Sequence, residues 1–361
     1  MAEWPVASGD DPPPARILQW PGTAAPADED APAPARRRPP LPRVLLPASA
    51  LLVLWAGTSL LPQLPVAVLD RMATAAAAWS PVALVPAVAL VALAVRSRSW
   101  AVAAAAAAAG LLPWVFVAGY AVPGGAVAGP GTSRLAVLLL DADAGRADAP
   151  SVVAAVGRQR VDVLVLTEAT PLLTHELAAA GLDPRLAPRW VSTPVESPAG
   201  GVAVYSRYAV ASVEPLGGTG WPAARVTLDT GRGRVALVAG RASPPGQGTG
   251  PWRADLRTLA AAARTGGPAV LAATLDATPD QTAFRSVTTG GLQDSAAAFG
   301  RGLRPTWPSW SVLPLLPLDH VVVGGGVGVR ALGTLPVAGT SHRALVADLL
   351  VPVSGTPDPQ P

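Results

Sequence analysis

The chain has 361 residues, half of them hydrophobic and only 14% charged, and its mean hydropathy of +0.37 is too high for a fold made wholly for water. The absence of Cys excludes disulfides, thiolate metal sites and cysteine nucleophiles. All 27 positive side chains are Arg, for a net charge of +3, but from Arg134 onward 19 Arg face 17 Asp and Glu. That near-neutral stretch would release few counterions, so nucleic acid is not supported as a partner and the composition points instead to a lipid bilayer.

Residues 1–43 are rich in Pro, Ala and Asp and end in the cluster Arg36-Arg37-Arg38-Pro39-Pro40, which reads as a disordered cytoplasmic tail. Its length and the late position of its basic cluster favour an uncleaved anchor over a signal peptide. Three apolar stretches follow, at about 44–64, 76–95 and 101–122, each near the roughly 20 residues that cross a bilayer. The third holds an Ala block that is barely favourable in lipid, offset by Leu111 to Val122 with Trp114 and Phe116. Arg36 to Arg38 and Arg43 precede the first span, and Arg96 and Arg98 lie between the second and third. The positive-inside rule therefore predicts a multi-pass protein of the cell membrane with its N-terminus in the cytoplasm. With three spans everything after Arg134 is extracytoplasmic; without the third it is cytoplasmic.

A Gly-rich linker at 123–133 leads into residues 134–352, where short Val-rich strands alternate with helical stretches, the pattern of an α/β domain. Strands are expected at 135–140, 161–166, 201–205, 223–228, 234–239, 269–274, 318–323 and 345–350, and helices at 148–159, 171–181, 251–264 and 280–287. The last helix is expected to open on Thr278-Pro279-Asp280, with Thr as cap and Pro in the first turn. Gly-bounded segments at 201–215 and 223–240 suggest antiparallel pairs, and 353–361 reads as a disordered tail.

Polar residues collect at strand ends: Asp141 and Asp143, Glu168, Asp276, Asp319-His320 and Ser341-His342. Strand ends are where α/β sheets place their sites. A carboxylate after the apolar run "VDVLVL" is costly unless paired or bound to metal, which singles out Glu168. Asp143, Asp148 and Asp280 suit turns or caps, and His320 suits the core.

In order, "LLLDADAGRAD", "DVLVLTEAT", "GGVAVYSR", "LDATPDQTAFR", "PTWPS", "PLDHVVV" and "TSHRALVADL" resemble the endonuclease/exonuclease/phosphatase superfamily, and most closely its membrane-anchored members. The resemblance implies a two-sheet α/β sandwich preceded here by three transmembrane helices, and hydrolysis of phosphate esters with Mg²⁺ or Mn²⁺. By residue it implies that Glu168 binds metal, that Asp319 orients and polarises a catalytic histidine, and that His342 is that histidine. Asp141 stands where the family has Asn and would add a carboxylate to the metal site. Arg241 replaces a His, Thr274 and Asp276 replace the Asp and Asn of "GDFN", and Ser341 replaces the Asp of "SDH". Arg241, Thr274 and Ser341 are then candidate substrate contacts, and Asp276, two residues along the strand from 274, a candidate for handling water. Thr cannot act as a base near neutral pH, which leaves a second reading open: a catalytically degenerate ligand-binding or scaffold module. The ligand in either case is a phosphate-containing small molecule or a lipid head group.

Overall fold

The computed structural model describes residues 44–122, 131–184, 186–192, 200–264, 266–312 and 315–353. The tails expected at 1–43 and after 353, and linker residues 123–130, lie outside the described residues.

Four helices precede the first strand: α1 (Leu45–Gly57), α2 (Ala67–Ala78), α3 (Leu84–Arg96) and α4 (Trp100–Val117). Of the three expected spans, one corresponds to a continuous helix long and apolar enough to cross a membrane, Trp100–Ala121, which is the Ala-rich third. The second is split, because 67–78 and 80–96 meet at a 67° bend, and the first is a shorter helix over Leu45–Leu60. The break at Trp79 has a cause in sequence: Pro81 lacks an amide proton, and Ser80–Ala83 tighten into a 3₁₀ turn. It frees α2, whose Asp70 and Thr74 are buried, to leave the line of α3.

Helices α1, α3 and α4 pack on small residues, among them Ala56, Ala83, Ala87, Ala106 and Ala109, while Leu51, Leu54, Val85 and Val115 point outward. A Cβ on Gly110 would lie 2.4 Å from the Ala87 Cβ, so α3 and α4 touch at a place only glycine allows. Close approach on small residues, with large apolar ones outside, is the arrangement helices adopt where lipid removes the hydrophobic drive between them.

The rest is a sandwich of two six-stranded sheets. One runs β11 (Gly328–Pro336), β12 (Arg343–Pro352), β1 (Thr132–Asp141), β2 (Val163–Ala169), β4 (Gly201–Ser206), β3 (Ala187–Ser192). The other runs β5 (Ala209–Pro215), β6 (Ala223–Asp229), β7 (Arg234–Arg241), β8 (Ala269–Thr274), β10 (Asp319–Gly324), β9 (Gln293–Asp294). Each sheet has one parallel pair at its centre, β1 with β2 and β7 with β8, and antiparallel neighbours outside it. Alternate residues such as Val137, Leu139, Val163, Leu237 and Val270 fill the space between the sheets. The opposite faces bury Leu138, Leu164 and Leu166 under α5 (Ala149–Gln159) and α6 (Pro171–Ala179), and Leu271 under α7 (Thr249–Ala263) and α8 (Thr282–Val287). Such strands are buried on both faces, which is why they read as continuous apolar runs.

Two local expectations change. Residues 201–215 are not a hairpin: β4 and β5 lie in different sheets, and the chain crosses between them at Arg207-Tyr208. Helix α8 begins at Thr282 with Gln281 at its N-cap, later than Thr278-Pro279-Asp280. Gln281 Oε1 accepts from the Thr278 amide (2.8 Å), so these residues close a turn of their own. Strand β3, with Pro188 and Arg189 on a sheet edge, and β11, bulged between Val329 and Ala331, were not expected.

Candidate active site

The two parallel pairs end at the same rim of the sandwich, and this brings Asp141, Glu168, Arg241, Thr274 and Asp276 together from four strand ends. β1 delivers Asp141 as its last residue, and β7 delivers Arg241 likewise. Glu168 sits at a register shift between Thr167 and Ala169, with φ of +53°, and Asp276 has φ of +48° just past β8. Asp143 and Ala144 in the loop after β1 also have positive φ. Left-handed backbone at side-chain-bearing residues is costly and persists where the surroundings impose it, as at functional sites.

Arg241 is the centre of the cluster. Its guanidinium is ion-paired with Asp141 through Nη1, with Glu168 Oε1 at 2.9 Å and with Asp276 Oδ2 at 3.4 Å through Nη2, and it lies 5.0 Å from the Trp221 ring centroid. The residue is only 7% exposed, so it neither covers a sheet edge nor reaches out from the surface. Three carboxylates around one guanidinium leave two negative charges. Burial, with repulsion from Asp141, pushes the Glu168 carboxyl up to about 7 despite Arg241. Burial pushes Asp276 up to about 6, and its Oδ2 accepts no hydrogen bond among the described residues. The second oxygens of Asp141 and Glu168 are held by the backbone: Asp143 N donates to Asp141 Oδ1 (2.8 Å) and Ala144 N to Glu168 Oε2 (2.6 Å).

Beside this cluster runs a chain of bonds. The hydroxyls of Thr167 and Thr274 are 2.8 Å apart, Thr274 Oγ1 donates to Asp319 Oδ1 (2.6 Å), and Asp319 Oδ2 meets His342 Nδ1 at 2.7 Å. Asp319 faces Thr274 in the antiparallel register of β10 with β8, and His342 immediately precedes β12. Burial alone would raise Asp319, but the His342 charge and the bonds from Thr274 and Thr306 hold it below the usual carboxylate range. Burial opposes the His342 charge, and Asp319 overrides it, lifting the imidazole to about 10. This half of the site is therefore an imidazolium–carboxylate pair.

Ser341 lies at the rim, its amide donating to Asp143 Oδ2 (3.1 Å). Thr274, expected to contact substrate, is fully buried and shares its hydroxyl with Thr167 and Asp319. His320 is a core residue, its Nε2 against the carbonyls of Ala277 (2.9 Å) and Pro317 (3.0 Å) and its ring 4.2 Å from Phe284. Sequence reasoning did not single out Trp221, Thr167 or Thr306. Thr306 lies in the quoted "PTWPS" and accepts from the amides of Leu318 (3.1 Å) and Asp319 (3.2 Å); nothing in the local sequence marks Trp221.

One donor atom each of Asp141, Asp319 and His342 lies within 4.8 Å of the others, a spacing that suits a metal ion. Around it the carboxylates of Asp141, Glu168 and Asp276 converge on Arg241 and add hard oxygen donors. Those are the donors Mg²⁺ and Mn²⁺ prefer.

Residues 128–344 match the model of the endonuclease/exonuclease/phosphatase family. The chain belongs to that family, whose enzymes typically use divalent metals. The fold is similar to that of an endonuclease/exonuclease/phosphatase from Bacteroides vulgatus (15% identity, 61% of this chain and 99% of that one, TM-score 0.50). It is also similar to a family protein from Bacteroides thetaiotaomicron (13%, 63% and 99%, TM-score 0.50) and to D. rerio TDP2 solved with a single-strand DNA product (12%, 60% and 99%, TM-score 0.50). No curated protein sequence matches the chain.

Proposed function

We propose that the protein is a membrane-anchored phosphoesterase of this family, dependent on a divalent metal and acting at the extracytoplasmic face. The observation that carries the reading is the cluster at the rim: Asp141, Glu168 and Asp276 around one guanidinium, that of Arg241, beside the hydrogen-bonded Asp319–His342 pair. One divalent cation would balance that cluster. Asp141 and Glu168 would hold it, and when bound it would supply Lewis-acid stabilisation of a phosphoryl oxygen. His342, fixed at Nδ1 by Asp319, presents its other N–H as a hydrogen-bond donor to a second phosphoryl oxygen. Asp276, just past β8 at the same rim, is the group placed to accept the proton of the attacking water.

The anchor in this reading is α1, the 80–96 segment and α4, with α2 lying along the outer surface against the domain. It is supported by the 22-residue apolar helix and by the outward placement of large apolar side chains. A reporter fused to the C-terminus tests the orientation: activity confined to the cytoplasm would overturn it.

A specific observation favours the degenerate module as second reading. Thr274 occupies the place of the water-handling Asp and is committed to Asp319. The two readings separate in hydrolysis of a generic phosphomonoester and phosphodiester with Mg²⁺ or Mn²⁺, comparing the natural protein with Glu168→Ala and His342→Ala. Turnover that needs metal and falls at least a hundredfold, roughly the value of an acid–base or electrostatic group, supports the enzyme. Turnover no higher than that of the variants leaves the binding module.

A further inference from the structure

A cavity of about 310 Å³ opens where the helices meet the α/β domain, lined by none of the residues of the strand-end cluster. The α1–α2 connection (Leu61, Gln63) and α2 (Ala73) form one wall, and α7 (Arg253, Arg257) and α8 (Ser286) the other. We propose that this cavity binds the headgroup of an anionic phospholipid. The inference rests on the membrane-anchored reading and is independent of whether the strand-end site hydrolyses anything.

Charge is the first reason. Asp70 is the single carboxylate in the lining, and it is already consumed: Arg253 grips both its oxygens (2.6 and 3.1 Å), Thr249 donates to Oδ2 and the Leu64 amide donates to Oδ1 (2.8 Å). Arg257 is exposed and uses Nε on the Arg253 carbonyl (3.1 Å), while its two terminal amino groups make no hydrogen bond among the described residues. The cavity therefore carries one uncompensated guanidinium, a group whose fork suits phosphate oxygens. Location is the second reason. The Thr58–Pro62 wall continues directly from apolar α1, whose Leu51 and Leu54 are exposed, so acyl chains can follow that helix while the phosphate turns in to Arg257. Free phosphate would satisfy the charge and leave the apolar Leu61, Pro62, Ala73 and Ala77 surfaces unused.

The test uses the full chain in a neutral detergent, with dioctanoyl phosphatidylglycerol, dioctanoyl phosphatidylcholine and inorganic phosphate as separate probes, read by thermal unfolding and native mass spectrometry. Phosphatidylglycerol is expected to raise Tm saturably and to stay bound in the mass spectrum, whereas the other two do neither. Arg257→Gln should weaken the phosphatidylglycerol titration about tenfold, the loss of one charge-assisted hydrogen bond, and Arg330→Gln, far along the chain on β11, should leave it unchanged. Equal stabilisation by phosphatidylcholine, a shift by inorganic phosphate alone, or an unaltered titration in Arg257→Gln would each overturn the proposal. Failure of the anchor itself is seen separately, as a full chain that does not float with vesicles whatever residue stands at 257.

Discussion

The helices before residue 122 and the sandwich after residue 131 use the same apolar vocabulary in opposite senses. In the helices Ala and Gly meet inside and Leu and Val face out; in the sandwich Leu164, Leu166, Leu237 and Val238 are wholly enclosed. Buried area stabilises a sandwich with water outside it, whereas in the membrane-anchored reading close backbone approach would stabilise the helices, because lipid is as apolar as their own side chains. Charge obeys the same contrast. The sandwich brings Asp141, Glu168 and Asp276 to one rim around Arg241 and buries others apart from it, such as Asp162 against Arg207, whereas the described helices before residue 122 bury a single carboxylate, Asp70, where they touch the domain.

The sharpest way to break this contrast is at the rim. Arg241→Ala would leave Asp141, Glu168 and Asp276 without their cation, and loss of one partner from a buried ion cluster costs about 3–5 kcal/mol. Chemical denaturation in the absence of metal should show that loss, and added Mg²⁺ or Mn²⁺ should restore part of it. A loss under about 1 kcal/mol, the range of exposed pairs, would mean that the cluster is not closed to water.

Next in size is the interior of the sandwich. Leu164→Ala removes a fully buried side chain between β2 and its covering helices and should cost about 2–5 kcal/mol by the same measurement. Its counterpart in the helices is Gly110→Ala, which adds a single methyl 2.4 Å from the Ala87 Cβ. Overpacking there should cost about 1–3 kcal/mol, seen as a lower Tm in detergent, and Ala87→Gly in the same chain should recover much of it. Adding one carbon to the helices would then rival removing three from the sandwich.

How far the sequence reveals these two regions follows from the range of the interactions. The apolar strands, Glu168 after "VDVLVL", and the Asp319 and His342 motifs are local patterns, and the structure brings those residues to one rim. The partners of Arg241 are not local: Asp141 lies 100 residues away on the other sheet, so nothing near position 241 announces a buried ion cluster. The crossing at Arg207-Tyr208 is hidden for a similar reason. Strands β4 and β5 are joined by a short turn that looks like a hairpin, and only the packing of the two sheets separates them. In the helices, hydropathy locates apolar residues but is blind to the bend at Trp79, which depends on Pro81 and on the bond network that holds Asp70 to Arg253.

The most gradual expected effect lies at the seam between the two regions, and it is a dependence on pH. Asp280 sits just before α8, and burial pushes its carboxyl up to about 7, against the opposing influence of nearby Ser80 and the charge of Arg285. In the unfolded chain the same group titrates near 3.8. Between those values the folded protein holds a proton that the unfolded chain has released, so this residue makes stability fall as pH rises from about 4 to about 7, and adds no further slope above that. The difference in unfolding free energy between the natural protein and Asp280→Asn isolates this contribution from the other titrating groups. It should move in favour of the variant by at most about 1.4 kcal/mol for each pH unit within that window. A difference that stays flat from pH 4 to 8 would show that water reaches Asp280, and therefore that the seam between the helices and the sandwich is open where the bonds from Arg285 and Thr282 to the Ser59 carbonyl close it.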